Sequence, residues 1–211
     1  MKIVSPKITE DLPIKHFNDI FSEEDLELEM CEVIDSIFEN ETLERVRLSN
    51  MVIKNCSFYN TDFGHMDLTD VRFENCDFSN ANLRKSSIHR VTFQKCKLLG
   101  VDFTESRFGN VSFHDSKLNL AAFGESKVEK VLFEENTLES ADFYECKFKS
   151  IEFQYCNLND ASFEQTSLKG IDMSTSTFET LRVSLQDLKG CKVSTLQALQ
   201  FASLLGLIIK E

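Results

Sequence analysis

Four histidines (His16, His65, His89, His114) and seven cysteines (Cys31, Cys56, Cys76, Cys96, Cys146, Cys156, Cys191) are the side chains here best suited to bind a metal or to act as nucleophiles. The histidines form no ligand pattern with the cysteines. Cys56, Cys76 and Cys96 recur at intervals of twenty. If they stack, their Cα atoms lie about 5 Å apart, just within disulfide reach. A small apolar filler explains them equally well. No basic group sits in the same register to stabilise a thiolate. A phosphate loop, a nucleophile elbow and an HExxH helix are all absent from the sequence. Paired Asp and Glu residues are common, but on an acidic surface such pairs are usually solvated. The reading is a non-enzyme that needs no cofactor and no metal.

The elements behind these residues explain their spacing. From Leu28 to Val193, every fifth residue is apolar, and these positions hold 16 of the 19 phenylalanines. A helical period of 3.6 drifts out of phase with five within two turns, so this is not a helix. Two residues before most of these positions stands a small or β-branched residue, and all seven cysteines share that register. Strand alternation accounts for the pair: positions i−2 and i point inward, i−1 points outward, and i+1 and i+2 turn a corner. Like residues also recur every twenty, as in Val71, Val91, Val111, Val131 and in Phe73, Phe93, Phe113, Phe133, Phe153. One coil is therefore four pentapeptides. The expected fold is an all-β solenoid, a quadrilateral β-helix of about eight coils over residues 36–195. At the strand spacing of about 4.8 Å it is a rod of roughly 38 Å.

Both ends of such a rod need covers. Residues 1–25 are expected to form the N-terminal cap, with a short helix after Pro13 that uses Leu12, Ile14, Phe17, Ile20 and Phe21. Residues 26–193 form the solenoid and 194–211 the C-terminal cap. Ser194 followed by Gln197 is a capping-box pattern that starts a helix at Thr195, running to Leu205, and Gly206 suits the position after its end. Leu207, Ile208 and Ile209 read as a short strand. This helix is apolar over more of its circumference than one coil can cover. Leu199, Phe201, Ala202, Leu204, Leu205, Leu207, Ile208 and Ile209 are thus candidates for a two-fold dimer contact.

Eleven acids and no Lys or Arg lie between His16 and Glu44, which accounts for most of the net charge of −12. This block reads as a solvated cap that discourages end-to-end stacking. Met1 to Glu10 have no apolar core of a signal peptide, and the longest apolar run, near Leu204 to Ile209, is too short for a bilayer. Together with seven cysteines this predicts free thiols, a cytoplasmic location and no membrane partner.

The repeat resembles the pentapeptide repeat family, whose consensus is A(D/N)LxX. Matches include Ala81-Asn82-Leu83, Ala141-Asp142-Phe143 and Thr61-Asp62-Phe63. The C-terminal run Leu188-Lys189-Gly190-Cys191-Lys192-Val193, then Gln197-Ala198, then Leu205-Gly206-Leu207-Ile208-Ile209, is similar to the end of the Qnr-type quinolone-resistance proteins, particularly their chromosomal enterococcal branch. That resemblance implies a right-handed helix, a homodimer through the C-terminal helix, and resemblance to duplex DNA. It also implies binding to DNA gyrase or topoisomerase IV that relieves quinolone inhibition. Several Qnr proteins interrupt their coils with loops. Here the five-residue phase is unbroken, so no projecting loop is expected between Ser36 and Val193.

The coil assigns surface charge to sides. Over residues 36–195, the side through Phe63 and Phe103 has nine acids and four bases, and the side through Phe58 and Phe78 has five acids and two bases. The side through Leu68 and Phe108 has four acids and nine bases, and the side through Phe73 has a net −2. Two adjacent sides thus form an acidic stripe, with Asp62, Asp77, Asp102, Glu105, Glu125, Glu139, Asp142, Glu145 and Asp160 as candidate partner-binding residues. Duplex DNA of the same length carries roughly 22 charges, against a net −8 on the stripe. The rod would copy the outline and sign of DNA but not its charge density. Direct nucleic-acid binding is not expected, since the surface offers few aromatics and repels phosphate. The alternative to topoisomerase binding is a general protein-interaction scaffold.

Overall fold

The structure, a computed structural model, describes residues 1–23, 25–202, 204 and 206–208. Nine strands form one parallel sheet. They are β1 (Ile14–Lys15), β2 (Glu27–Glu29), β3 (Glu32–Ile34), β4 (Arg47–Lys54), β5 (Asp67–Glu74), β6 (Ser87–Gln94), β7 (Arg107–His114), β8 (Lys127–Glu134) and β9 (Lys147–Gln154). From β2 on, paired residues lie twenty apart, as Val71 with Val91 and Phe93 with Phe113. β3 to β9 stack one per turn, giving about seven turns. Beyond β9 the coil is carried by single bridges such as Asn157 to Thr177 and Asp172 to Lys192. The chain is the quadrilateral β-solenoid that the twenty-residue repeat predicts.

Two adjacent sides of each turn run as one strand. In β5 these are the two sides that meet at Asp70, whose φ of 58° bends the strand between them. The other two sides touch their neighbours through single bridges, such as Ser57 to Asp77 and Asp62 to Asn82. Every fifth residue from Met30 to Gly170 has a positive φ, whether it is Asn60, Lys85, Leu120 or Glu125. Glycine fills that place only at Gly100 and Gly170 within the run. The turn is therefore imposed by the coil and not by local preference, at roughly 1 kcal/mol for an ordinary side chain.

The core consists of two families of rings set edge to face. Phe93, Phe113 and Phe133 stack at 4.9 and 5.0 Å within 5° of parallel. Phe123, Phe143 and Phe163 stack at 4.8 and 5.0 Å. The two families meet at 5.8–5.9 Å and about 80°, as Phe133 and Phe153 against Phe143. Both geometries are favoured by the ring quadrupole.

The residues two before each ring do more than fill space. Ser106 Oγ donates to the Leu83 carbonyl (3.0 Å) and accepts the Ser86 amide (3.0 Å). Ser126 repeats this with Phe103 and Ser106, both at 3.0 Å. Cys146 Sγ reaches the Phe123 carbonyl at 3.0 Å, and Asn136 Nδ2 the Phe113 carbonyl at 2.8 Å. Ser, Cys, Thr and Asn gather in two columns where backbone groups turn into the core. Val and Ala occupy columns where the backbone pairs with itself: Val71 lies in a strand ladder, and Ala121 N–H bonds the Leu118 carbonyl (3.1 Å). Cys56, Cys76, Cys96, Cys146 and Cys156, expected as fillers, are thus also donors, as buried polar groups require.

The ends show where local patterns were read too simply. Residues 1–12, expected as part of the N-terminal cap, run along the outside of the sheet. The Val4, Lys7 and Thr9 amides bond Asn110, Asp70 and Asn50. The cap proper is β1 with a 3-10 helix at Phe17–Ser22, where Phe17 and Ile20 are buried while Ile14 and Phe21 are exposed. Phe17 lies 4.9 Å from both Phe38 and Phe58. At the other end, helix α1 spans Thr195–Ala202. The expected strand does not form at Leu207 and Ile208, and Ile209 lies outside the described residues. No described helix is long and apolar enough to cross a membrane.

Candidate protein-binding surface

The two acidic sides are the two held by single bridges: Asp62, Asp77, Asp102 and Asp142 are bridged residues in the middle of a side, and Glu105, Glu125, Glu139, Glu145 and Asp160 lie in the turns. At the outward position the carboxylate has a local task. Asp62 accepts the Gly64 amide (2.9 Å), Asp77 that of Ser79 (2.8 Å), Asp102 that of Thr104 (2.9 Å) and Asp142 that of Tyr144 (3.2 Å). Asn82 and Asn157 bond in the same way to Arg84 and Asn159. This side-chain turn is why the repeat favours Asp or Asn there. Four of the nine stripe residues therefore brace the fold as well as charge the surface.

The other five differ among themselves. Glu105 pairs with Arg84 (3.0 Å) and Lys85 (3.6 Å), and these cations hold its carboxyl below the usual range. Glu139 joins two coils by accepting from Asn119 (2.9 Å) and Asn157 (2.8 Å). Asp160 accepts from Thr180 and Asn159. Glu125 and Glu145 occupy left-handed corners and are exposed. Burial pushes the Asp77 carboxyl up, but Lys97 at 2.9 Å and Ser79 outweigh it, and the net shift is downward. Arg84 also lies 3.8 Å from Asp102. The stripe thus has a cationic centre that side-by-side charge counts did not reveal, and its most open carboxylates are Glu125 and Glu145.

The basic side lies on the strand sheet. Arg107, Lys127 and Lys147 stand directly opposite one another in β7, β8 and β9. Toward the N-terminus the same side is neutralised: Arg90 makes a two-pronged bond to Asp70 (2.6 and 2.7 Å), and Arg47 lies 3.8 Å from Glu27. The acidic N-terminal block is partly paired as well, with Glu32 on Lys54 at 2.7 Å.

All seven cysteines are free thiols. Burial holds the Cys146 thiol at about 12 and the Cys31, Cys156 and Cys191 thiols at about 11. These four thiols are protonated at neutral pH. Among the described residues no cluster of His, Cys, Asp and Glu could hold a metal.

Helix α1 faces the opposite way to an ordinary cap. Gln197 is its buried residue, 4% exposed. Its Nε2 donates to the Met173 (2.8 Å) and Ser176 (2.7 Å) carbonyls, and its Oε1 accepts the Ser194 amide (2.8 Å). Gln200 Nε2 bonds the Phe178 carbonyl (2.7 Å). The polar edge seals the open coil end. Phe201 packs 5.2 Å from Phe178, and Ala202 is half-buried. Leu199, Leu204, Leu207 and Ile208 are exposed, Ile208 at 90%. Leu196, absent from the expected contact set, is 68% exposed beside them. Its signal was its place three residues before Leu199. Leu205 and Ile209 lie outside the described residues.

The pentapeptide repeat region model matches residues 66–143 and 86–163. No curated protein matches the sequence. Among solved structures, full-length QnrB1, a plasmid-mediated fluoroquinolone resistance protein, aligns at TM-score 0.54 and 21% identity. The alignment covers 92% of this chain and 95% of QnrB1. A trypsin-treated QnrB1 variant gives 0.51 and 20%, covering 84% of this chain and 99% of that one. HetL, a pentapeptide repeat protein involved in heterocyst differentiation regulation from the cyanobacterium Nostoc, gives 0.32 and 12%, covering 82% and 93%, too slight a likeness to argue from. At these identities the likeness to QnrB1 is one of fold. The five-residue register, the four-sided coil and the matched repeats agree: residues 66–163 of this chain are a pentapeptide repeat region.

Proposed function

We propose that the protein is a non-catalytic binding protein that docks on DNA gyrase or topoisomerase IV through its acidic sides and protects the enzyme from quinolones. The observation that carries this reading is the acidic pair of sides. They present outward carboxylates coil after coil on a rod with no projecting loop between 36 and 193. A basic surface that grips duplex DNA would meet the same sign and a similar width, at lower charge density. The fold shared with QnrB1 and the C-terminal sequence resemblance support it. The exposed leucines of α1 support a two-fold dimer through the C-terminal end, in the cytoplasm. The deciding experiment is supercoiling by purified gyrase with a fluoroquinolone, with and without this protein. Rescue is expected, and absence of both rescue and gyrase binding refutes the reading.

A second reading is a protein-interaction scaffold with no topoisomerase role. The turn-bracing carboxylates favour it, because Asp62, Asp77, Asp102 and Asp142 would be present for the fold alone. Variants separate the two. Glu125→Lys with Glu145→Lys reverses charge without touching a turn bond. Topoisomerase binding should weaken at least tenfold at low salt, mainly through slower association. Unchanged affinity would rule out these sides as the docking surface.

A further inference from the structure

Residues 1–12 are a peptide laid across the solenoid in register with its coils. The Val4 amide donates to Asn110 Oδ1 (3.2 Å), the Lys7 amide to Asp70 Oδ1 (2.8 Å) and the Thr9 amide to Asn50 Oδ1 (2.9 Å). Thr9 Oγ1 adds a contact to Asn50 (3.3 Å). Asn50, Asp70 and Asn110 hold the same corner place, one and then two turns apart. An extended chain rises about 3.3 Å per residue, so three residues span about two coils. The corner at the skipped turn is Arg90, which offers no acceptor and turns to Asp70. The strap has Pro6, which has no amide proton, between its Val4 and Lys7 donors. Donors and acceptors therefore match turn for turn.

Ile3, Pro6 and Ile8 precede the bonded residues and are half-buried. Between residues 5–12 and the outward row Val52, Arg72, Thr92 and Ser112 lies a cleft of about 760 Å³. Val52 and Ser112 are buried although they point outward. No side chain of residues 1–12 is itself buried. Its amide bonds to the solenoid go to side chains and not into the backbone ladder, and the Met1 ammonium adds an ion pair to Glu152.

We infer that this face is a binding groove for an extended polypeptide, filled in cis by residues 1–12 and opened when they leave. The partner it fits is an extended segment of another protein. That segment presents free amides at the spacing of residues 4, 7 and 9, with an apolar residue or proline before each. The groove lies away from the acidic sides, so the inference does not depend on topoisomerase binding.

The test uses the full chain. Val4→Pro with Lys7→Pro and Thr9→Pro removes the three donors and leaves the groove intact. A synthetic peptide of residues 1–12 is titrated into this variant and into the unaltered protein, with the backbone amides of β5 to β7 followed by NMR. The unlatched variant should bind the peptide at least tenfold more tightly. Adding Asn50→Ala and Asn110→Ala should abolish binding. In the otherwise unaltered chain, those two alanines should speed hydrogen exchange at the Val4 and Thr9 amides without changing that of β5 to β8. Equal binding by the latched and unlatched proteins overturns the inference. So does no saturable shift in the unlatched one, or loss of protection across the solenoid.

Discussion

Gln197→Leu asks whether the C-terminal end is closed by polar or apolar contacts, and the two answers have opposite signs. If α1 merely laid an apolar surface on the last coil, a leucine there would add buried area and stabilise the protein. In the structure the glutamine satisfies two carbonyls and one amide, at 2.8, 2.7 and 2.8 Å. Leaving a buried polar group without a partner costs about 1–3 kcal/mol. The coil end is close to solvent, so the low end applies to each group, about 3 kcal/mol together. Leucine's transfer from water returns about 1 kcal/mol for the area it hides. The net is a loss of about 2 kcal/mol, directed at the end of the rod. Urea unfolding should show the lower midpoint, and hydrogen exchange should show residues 195–202 losing protection before β5 to β8. On the proposed two-fold contact, light scattering should also show less dimer, because Leu196 and Leu199 would lose their fixed support. A variant as stable as the parent, with α1 still protected, would refute the polar-plug argument.

Phe113→Asp should abolish folding, since the residue is fully buried between the Phe93 and Phe133 rings and its charge would have no partner; a retained cooperative β-signal in circular dichroism would contradict the core register. Asp70 gives a pH dependence. The Arg90 guanidinium above all, then the Lys7 amide, holds its carboxyl below the ordinary 3.8. A carboxyl depressed in the folded chain contributes its full stabilisation above the unfolded value and loses it as pH falls through the folded one. Local opening of residues 1–12 leaves the Arg90 pair in place, so exchange protection of the Lys7 amide, corrected for the intrinsic rate, should be level from pH 7 down to the ordinary 3.8 and fall only below it. Unchanged protection of that amide in Asp70→Ala at pH 7 would show that Asp70 does not hold the strap.

Much of the fold was legible in the sequence because its period is short and its inward positions admit only apolar residues. A five-residue step that meets Phe73, Phe93 and Phe113 at twenty-residue intervals leaves little choice of geometry. What escaped was every case where a side chain serves the backbone. The cysteines read as small fillers, but the roles of Cys146 and of Ser106 in the same register depend on which carbonyls the coil turns inward. Gln197 read as half of a capping box, and its second function depends on Met173 and Ser176, more than twenty residues away. Residues 1–12 failed for a related reason. Their partners Asn50, Asp70 and Asn110 form a row only after the coil has wound, and no local pattern announces an extended strap. The acidic stripe was legible as charge, but not as the mixture of turn braces and open carboxylates that Asp102 and Glu125 represent.

The left-handed residue in every repeat has a consequence for how the rod forms. Leu120, Glu125 and Lys130 hold conformations that a free chain seldom visits. One coil alone would meet that conformational cost at four corners while leaving its pairing groups open above and below. Two coils share a single row of backbone bonds, and only with further turns does each corner gain support from both neighbours. Assembly should therefore begin with a rare multi-coil nucleus, after which turns add quickly by templating on an exposed edge. Unwinding should proceed inward from an end. On that view the 3-10 helix against Phe38 and the glutamines of α1 act as kinetic latches, and the lifetime of the rod is set by how often either one opens.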